Sequence, residues 1–138
     1  MGRIIMKWGG GLISDKSALC TPQLQIIQNL AECVKSLVSN GHQVIIVHGA
    51  GSFGHIRARE FRLAEGNVEE LDQTDAIHRV RMDMDELNQH VLNSLEPLIT
   101  SNHPPRDFAL NTGPSFGGDL SPFLGIGTHI TFGDVVQC

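Results

Sequence analysis

Hydrophobic residues in the first part of the chain form two short unbroken runs with a helical repeat between them. The first run, residues 3–8, stops at Gly9 and predicts a buried strand that leads into a glycine-rich loop. Apolar residues then recur at helical spacing behind Thr21 and Pro22, which are typical of an N-cap and a first helical residue. The pattern predicts a helix over residues 21–39.

The second unbroken run, residues 44–47, is β-branched throughout, as expected of a strand covered on both faces in a parallel sheet. Asn40 and Gly41 precede it and predict a left-handed stop for the helix. A strand, a helix and a second strand form a right-handed βαβ unit, which brings the loops after both strands to one sheet edge. Because ligands of parallel sheets bind at the carboxyl ends of strands, both loops are expected to face one crevice.

A second long helix is predicted over residues 75–98, where apolar residues mark one face and charged residues the other. Asp83 and Asp85 are expected on its exposed face. Residues 102–105 then break the helical pattern. This helix is expected to follow the βαβ unit within the same domain.

Further short strands are predicted at residues 108–110 and 129–132, separated by a loop rich in glycine and proline. Residues 127–136 are typical of a strand entering a new loop. An apolar run so near the last residue predicts that more chain once followed or that a partner covers the edge. The element pattern predicts an α/β fold, a three-layer α/β/α sandwich with a mainly parallel sheet.

Composition narrows the class of protein. The 138 residues suit one domain, and 41% hydrophobic with 18% charged residues fits an ordinary globular chain. A net charge of -5 with scattered Arg and Lys argues against nucleic-acid binding. The apolar runs are too short to cross a bilayer, and we expect no cleavable signal peptide, so the sequence predicts a cytoplasmic protein without a membrane partner. The widely spaced Cys20, Cys33 and Cys138 predict reduced thiols.

Two lysines accompany the first glycine loop. Lys7 stands at the end of the first strand, and Gly9, Gly10 and Gly11 expose backbone N–H groups that can cradle phosphate oxygens. Lys16 can fold back over the same crevice, where two cations would steady a transferring phosphoryl group. The alternatives are a tight glycine turn with a solvent-facing Lys7 and a solvated Lys16. No P-loop spacing is present in the sequence.

The stretch HGAGSFGH, residues 48–55, lies between the second strand and a helix predicted to begin near Gly54. The amino end of that helix would face the crevice, where free N–H groups favour an anion. His55, in the first turn, can add a hydrogen bond to the same anion. The alternative is a glycine-rich connection with a capping serine and an incidental histidine.

Taken in order and spacing, KWGGG at residues 7–11, SDK at 14–16 and HGAGSFGH at 48–55 resemble the signature set of isopentenyl phosphate kinases, in the amino acid kinase superfamily. GDVV at residues 133–136 resembles the strand end that closes the N-terminal half of that family. The similarity extends along essentially the whole chain but over only about half of the family's usual length. One departure is Gly11, where the family usually has a serine.

The resemblance implies a role for each matching residue. His55 would hold the acceptor monophosphate, and Lys7 and Lys16 would steady the transferring phosphoryl group. The acceptor's tail would lie against the second long helix. The implied substrate-binding residues are Gly49, Ala50, Gly51, Ser52, Gly54, His55, His78 and Met82. The implied nucleotide phosphate-binding residues are Lys7, Gly9, Gly10, Gly11, Lys16, Gly133 and Asp134.

The activity implied by the resemblance is ATP-dependent phosphorylation of isopentenyl phosphate to the diphosphate, with ATP and Mg²⁺ as cofactors and a homodimer as the assembly. Residues 1–138 would form the acceptor-binding part, and we expect the nucleotide-binding part to be missing and the chain to be inactive alone. The alternatives are a fosfomycin-type or other small-acid kinase fragment, a phosphate-binding module without catalysis, and an incomplete reading frame whose product dimerises through its unfinished edge.

Overall fold

The computed structural model describes residues 2–96, 98, 101–103 and 135–137. Its elements in chain order are β1 (Arg3–Trp8), α1 (Gly10–Ile13), α2 (Leu24–Ser39), β2 (Gln43–His48), α3 (His55–Glu60), α4 (Gln73–Leu95), β3 (Ser101–His103) and β4 (Val135–Gln137).

The four strands form one sheet in the order β1-β2-β4-β3. β1 and β2 are parallel, with Ile5 beside Ile45 and Trp8 beside His48, and α2 connects them. This confirms the predicted βαβ unit and the α/β class. β4 runs antiparallel to both of its neighbours, so the described sheet combines one parallel pairing with two antiparallel ones.

One face of the parallel strand pair is buried. Trp8, Val44 and Ile46 are at most 1% exposed and point to the same side, as alternate residues of paired strands do. Buried residues of α2 and α4 join the same cluster. They are Ile27, Ala31 and Val34 from α2, and Ala76, Ile77, Val80, Met84, Leu87, Val91 and Leu95 from α4.

The opposite face of these strands is more open. Ile5 is 71% exposed, and Ile45 and Val47 are half-buried. Of the three layers that the sequence predicts, the described residues therefore supply the sheet and one helical layer. The prediction that residues 44–47 are covered on both faces holds in full only for the inner face.

The start of α2 differs from the prediction. It begins at Leu24 behind Gln23, so Thr21 is not its N-cap. Pro22 instead forms a β-bridge with Ser14, and the N–H of Gln23 donates to the carbonyl of Ile13 at 2.8 Å. Because these contacts hold Pro22 and Gln23 against the segment that follows β1, the first helical turn starts later.

Other boundaries agree more closely. Gly41, at φ 82°, ends α2 in the left-handed region, and its N–H donates to the carbonyl of Val38 at 2.9 Å. α4 ends earlier than predicted, at Leu95, and begins behind Asp72, whose carboxylate accepts from the N–H of Asp75 at 3.2 Å.

The carboxyl-terminal predictions are tested only in part. Ser101–His103 is a strand where the sequence predicted a break, and Val135–Gln137 is a strand near the end of the chain. The strands predicted at 108–110 and 129–132 lie outside the described residues. Within the described part of the chain, no helix combines the length and apolar character needed to cross a membrane.

Replacing Ile46 by Ala should lower the free energy of unfolding by about 2–5 kcal/mol, because the side chain is fully buried beneath α2 and α4. The matched control is Ile5→Ala, the same change on the open face, which should cost less than about 1 kcal/mol. Urea unfolding of both variants measures the difference. Equal losses would show that the two faces are equally buried.

Candidate phosphate-binding site

The turns that follow β1 and β2 pack directly against each other. A Cβ built on Gly10 would lie 2.1 Å from the backbone nitrogen of Gly51, and one on Gly49 would lie 2.6 Å from the nitrogen of Gly10. The N–H of Gly49 donates to the carbonyl of Trp8 at 2.9 Å. The two glycine turns are thus at one edge of the sheet, in backbone contact, as the βαβ argument expected.

Glycine at these positions has a structural cause of its own. Gly51 adopts φ +51°, and a Cβ there would lie 1.9 Å from Ser14 Oγ and 2.3 Å from the carbonyl oxygen of Gly10. A side chain would force the turns apart. The close approach of the two loops therefore explains Gly10, Gly49 and Gly51 whether or not a ligand binds.

Ser14 bridges the two turns. Its hydroxyl donates to the carbonyl of Gly10 at 2.6 Å and accepts from the N–H of Ser52 at 2.9 Å, and the residue is 1% exposed. Ser52 in turn accepts at its hydroxyl from the N–H of Thr21 at 3.3 Å. The N–H and the hydroxyl of Ser52 thus both form hydrogen bonds within the protein. Its predicted role in substrate binding stays a prediction.

Backbone donors converge where the turns meet. The Cβ position of Gly10 lies 2.1 Å and 2.9 Å from the nitrogens of Gly51 and Ala50, and that of Gly49 lies 2.6 Å from the nitrogen of Gly10. In the described part of the chain, the N–H groups of Gly10, Ala50 and Gly51 donate to no protein acceptor. Clustered N–H groups without acceptors suit an anion with several oxygens.

Lys16 lies over the first of these turns. A Cβ on Gly11 would fall 2.0 Å from Lys16 Cε and 3.0 Å from its Nζ, so the lysine uses the space that a side chain at position 11 would take. Asp15 shapes the loop by accepting from the N–H and hydroxyl of Ser17 at 2.8 and 2.7 Å. These hydrogen bonds, the hydroxyl's first, hold the pKa of Asp15 below its usual value.

Lys7 is exposed near the end of β1, on the sheet face opposite Trp8. The structure thus places Lys7 beside the same turn as Lys16. Their joint action on one phosphoryl group stays a prediction.

His55 is the first residue of α3 and is exposed. Partial burial, and secondly the nearby Arg59, lower the pKa of His55 below 6.5. Gly54 precedes it as the N-cap, where a Cβ would lie 2.6 Å from that of Ala50. The exposed imidazole is accessible to a ligand.

His78 and Met82 lie one turn apart on α4, and both are exposed. Met82 exposes 58% of its surface, which leaves apolar area open to a ligand. Gly133 and Asp134 lie outside the described residues.

The structure also gives a role to His48, to which the sequence analysis assigned none. His48 is fully buried, with Nδ1 3.1 Å from the carbonyl oxygen of Gly49 and Nε2 3.2 Å from Asn88 Oδ1. It joins the end of β2 to α4. The alternation of β2 was the available signal, because it places His48 on the same face as Ile46.

Asp83 corrects a prediction. It was expected on the exposed face of the helix, but its side chain is only 15% exposed and lies 2.7 Å from Arg57 Nε. Since Arg57 is 26 residues away, no local pattern reveals the pair.

Cys20 and Cys33 are free thiols, and Cys138 lies outside the described residues. Among the side chains that the structure describes, no three of the His, Cys, Asp or Glu type cluster as a metal-ligand set.

The βαβ unit thus carries two adjoining glycine turns, with exposed lysines near the first turn and an exposed histidine after the second. Residues 2–106 match the amino acid kinase family, and the chain belongs to that family.

Its relatives include two isopentenyl phosphate kinases. That of Thermoplasma acidophilum is 38% identical over 93 residues, which are 67% of this chain and 36% of the relative. That of Methanothermobacter thermautotrophicus is 32% identical over 101 residues, 67% of this chain and 35% of the relative. The chain thus spans about a third of the length of the curated relatives it matches.

Solved structures of isopentenyl phosphate kinases also resemble this chain. The product complex of T. acidophilum isopentenyl phosphate kinase superposes with a TM-score of 0.58 at 30% identity, over 69% of this chain and 38% of the other. A second isopentenyl phosphate kinase structure gives a TM-score of 0.59 at 29% identity, over 67% and 39%. The fold class predicted from the sequence is confirmed by these neighbours.

The Gly10→Ala variant should lose about 1–3 kcal/mol of unfolding free energy, because its Cβ meets backbone atoms of the second turn that have no room to move. Gly9→Ala is the matched control: no described atom lies within 4 Å of its Cβ, and φ -61° suits alanine, so no stability should be lost. Thermal unfolding monitored by circular dichroism compares them. If Gly10→Ala unfolds like the wild type, the turns are not in contact.

We expect an NMR titration of the His55 ring to give a pKa below 6.5, and Arg59→Gln to raise it part of the way, because burial is the larger cause and remains. Arg79→Gln, an exposed change on α4, should have no effect. Because the folded state takes up this proton at lower pH than the unfolded chain, His55 adds to stability above pH 6.5 and the contribution is lost as pH falls through its folded pKa. A wild-type value at or above 6.5 would contradict the prediction.

Proposed function

We propose that this chain is the acceptor-binding part of an ATP-dependent kinase that phosphorylates isopentenyl phosphate to the diphosphate. The observation that carries the proposal is the convergence, between the two glycine turns, of backbone N–H groups that have no acceptor among the described residues, with Lys16 over the first turn and His55 after the second. The names of the relatives support the choice of acceptor.

In this reaction an oxygen of the acceptor phosphate attacks the γ-phosphorus of ATP, the bond from that phosphorus to the bridging oxygen breaks, and ADP leaves. A phosphate nucleophile is already anionic, so no strong general base is needed. The protein's contribution is to place the two phosphates in line and to balance their charge.

Each part of the site has a task in this scheme. The N–H groups of Ala50 and Gly51 hold the acceptor phosphate, and His55 donates a hydrogen bond to it. Binding of that anion favours the protonated imidazole and raises the pKa of His55 from its lowered value. Lys7 and Lys16 stabilise the charge on the transferring phosphoryl group. Exposed Met82, with His78, offers α4 as a surface for the isoprenoid tail.

The residues of the first turn fit a nucleotide. Gly9 has no described atom within 4 Å of its Cβ position, so a phosphate oxygen can approach this backbone. Bound Mg-ATP supplies the phosphoryl group, and its metal is expected to be held largely by phosphate oxygens. Residues 1–138 would contribute the acceptor side and this phosphate-facing turn. The homodimer and the cytoplasmic location stay predictions.

Titration of the 138-residue chain with isopentenyl phosphate should shift the NMR signals of the amide groups of Ala50, Gly51 and His55. His55→Ala should weaken binding roughly 10- to 100-fold, since a charge-assisted hydrogen bond is lost. His42→Ala is the matched control, because it removes the same ring at the opposite end of β2. It should leave the affinity unchanged.

Two comparisons separate the alternatives. Fosfomycin binding more tightly than isopentenyl phosphate would favour a small-acid kinase. Binding of phosphate compounds without any response to Mg-ATP would favour a module without catalysis. The proposal fails if isopentenyl phosphate leaves the signals of both glycine turns unchanged, or if His55→Ala binds it as the wild type does.

A further inference from the structure

Three elements meet at Asp83, outside the glycine turns. Arg57 of α3 places Nε 2.7 Å from Asp83 Oδ2 of α4, and the two side chains are only 18% and 15% exposed. Cys20, in the loop between α1 and α2, lies against the same pair. Burial first, and then the negative charge of Asp83, raise the pKa of this thiol to about 11. Cys20 therefore stays a neutral thiol beside the ion pair.

The ion pair connects α3 to α4. None of the described side chains of this six-residue helix is fully buried, and Ala58 is only partly buried against the core. A helix this short has little stability of its own. Its position therefore depends on contacts at a few points, and Arg57 supplies a charged contact to α4.

His55 is two residues before Arg57 on the same helix. Residues two apart differ in direction by roughly 200° around a helix axis. When Arg57 points towards α4, His55 points away from it, which agrees with the exposure of the imidazole. A shift of α3 relative to α4 would move His55 with it.

The loop that carries Lys16 contacts the same region of the protein as the Arg57–Asp83 pair. Cys20 adopts φ 48°, in the left-handed region that a non-glycine residue rarely occupies, and its N–H donates to the carbonyl of Ser52 at 3.5 Å. The loop's first end is held by Ser14 through the N–H of Ser52. Asp83 thus stands where the Lys16 loop, α3 and α4 come together.

We propose that Asp83 is a positioning residue that fixes α3, and with it His55, at the acceptor side of the two glycine turns. This inference rests on the proposed function of His55. A partly buried ion pair alone contributes little to stability, because desolvation offsets the attraction. Removing one partner leaves the other charge unpaired and lowers the melting temperature as well, so the readout specific to this inference is the placement of His55.

The test uses Asp83→Asn and the charge-swapped double variant Arg57→Asp with Asp83→Arg, both in the full 138-residue chain. Asp75→Asn is the matched control, because it removes an Asp–Arg pair on the same helix that is exposed and local, with Asp75 Oδ2 2.6 Å from Arg79 Nε. The readouts are the His55 ring signals without ligand, the affinity for isopentenyl phosphate and the melting temperature.

Asp83→Asn should shift the His55 signals and weaken the affinity roughly tenfold, the double variant should recover part of both, and Asp75→Asn should change neither. Wild-type His55 signals and affinity in a folded Asp83→Asn variant would overturn the inference. If Asp83→Asn does not fold, the double variant decides: a folded chain with near-normal His55 signals supports the inference, and one with displaced signals or no fold overturns it.

The outcome is separable from that of the proposed function. If His55→Ala leaves phosphate binding unchanged while Asp83→Asn still moves the His55 signals, the proposed function fails and the positioning by Asp83 stands.

Discussion

The backbones of Gly10 and Gly51 approach so closely that neither residue has room for a side chain. This contact joins the turn after β1 to the turn after β2, and the parallel register of the two strands makes it possible. Ser14 secures it with two hydrogen bonds, one to each turn. The closeness of the backbone nitrogens of Gly10, Ala50 and Gly51 follows from this arrangement.

The same contact separates two uses of glycine within one motif. Gly10, Gly49 and Gly51 are required by packing, since a Cβ at each would lie within 3 Å of another loop. Gly9 has open space around it, and Gly11 leaves room for Lys16. Of these five glycines, only Gly9 is therefore left without a described neighbour that explains the absence of a side chain. The two glycine-rich turns thus combine positions where packing requires glycine with a position where it does not.

The basic residues near the two turns differ in exposure and pairing. Lys16 and His55 are exposed and available to an anion, whereas Arg57 is paired with Asp83 and partly buried. The paired charge has its partner inside the protein, whereas the Lys16 and His55 side chains are open to solvent. An acidic chain with a net charge of -5 thus keeps basic side chains exposed beside the two turns.

Local patterns in the sequence were sufficient to predict both strands of the βαβ unit, the long helices and the position of both turns at one sheet edge. Hydrophobic periodicity and the handedness of βαβ units act over short distances, so one sequence reveals them. The predicted start of α2 was wrong because the tertiary contacts of Pro22 and Gln23 override the capping preference of Thr21. The roles of the predicted site residues remain predictions.

Tertiary structure alone decided which side chains meet. Ser14 accepts a hydrogen bond from Ser52, 38 residues away, and Arg57 pairs with Asp83, 26 residues away. The residues around each of these four indicate only an ordinary loop or an exposed helix face. Such pairs depend on how elements pack, and packing depends on the whole core. The sequence by itself determined the elements and the chemistry of the turns, whereas the packing of α3 and α4 decided which charges are available to a ligand.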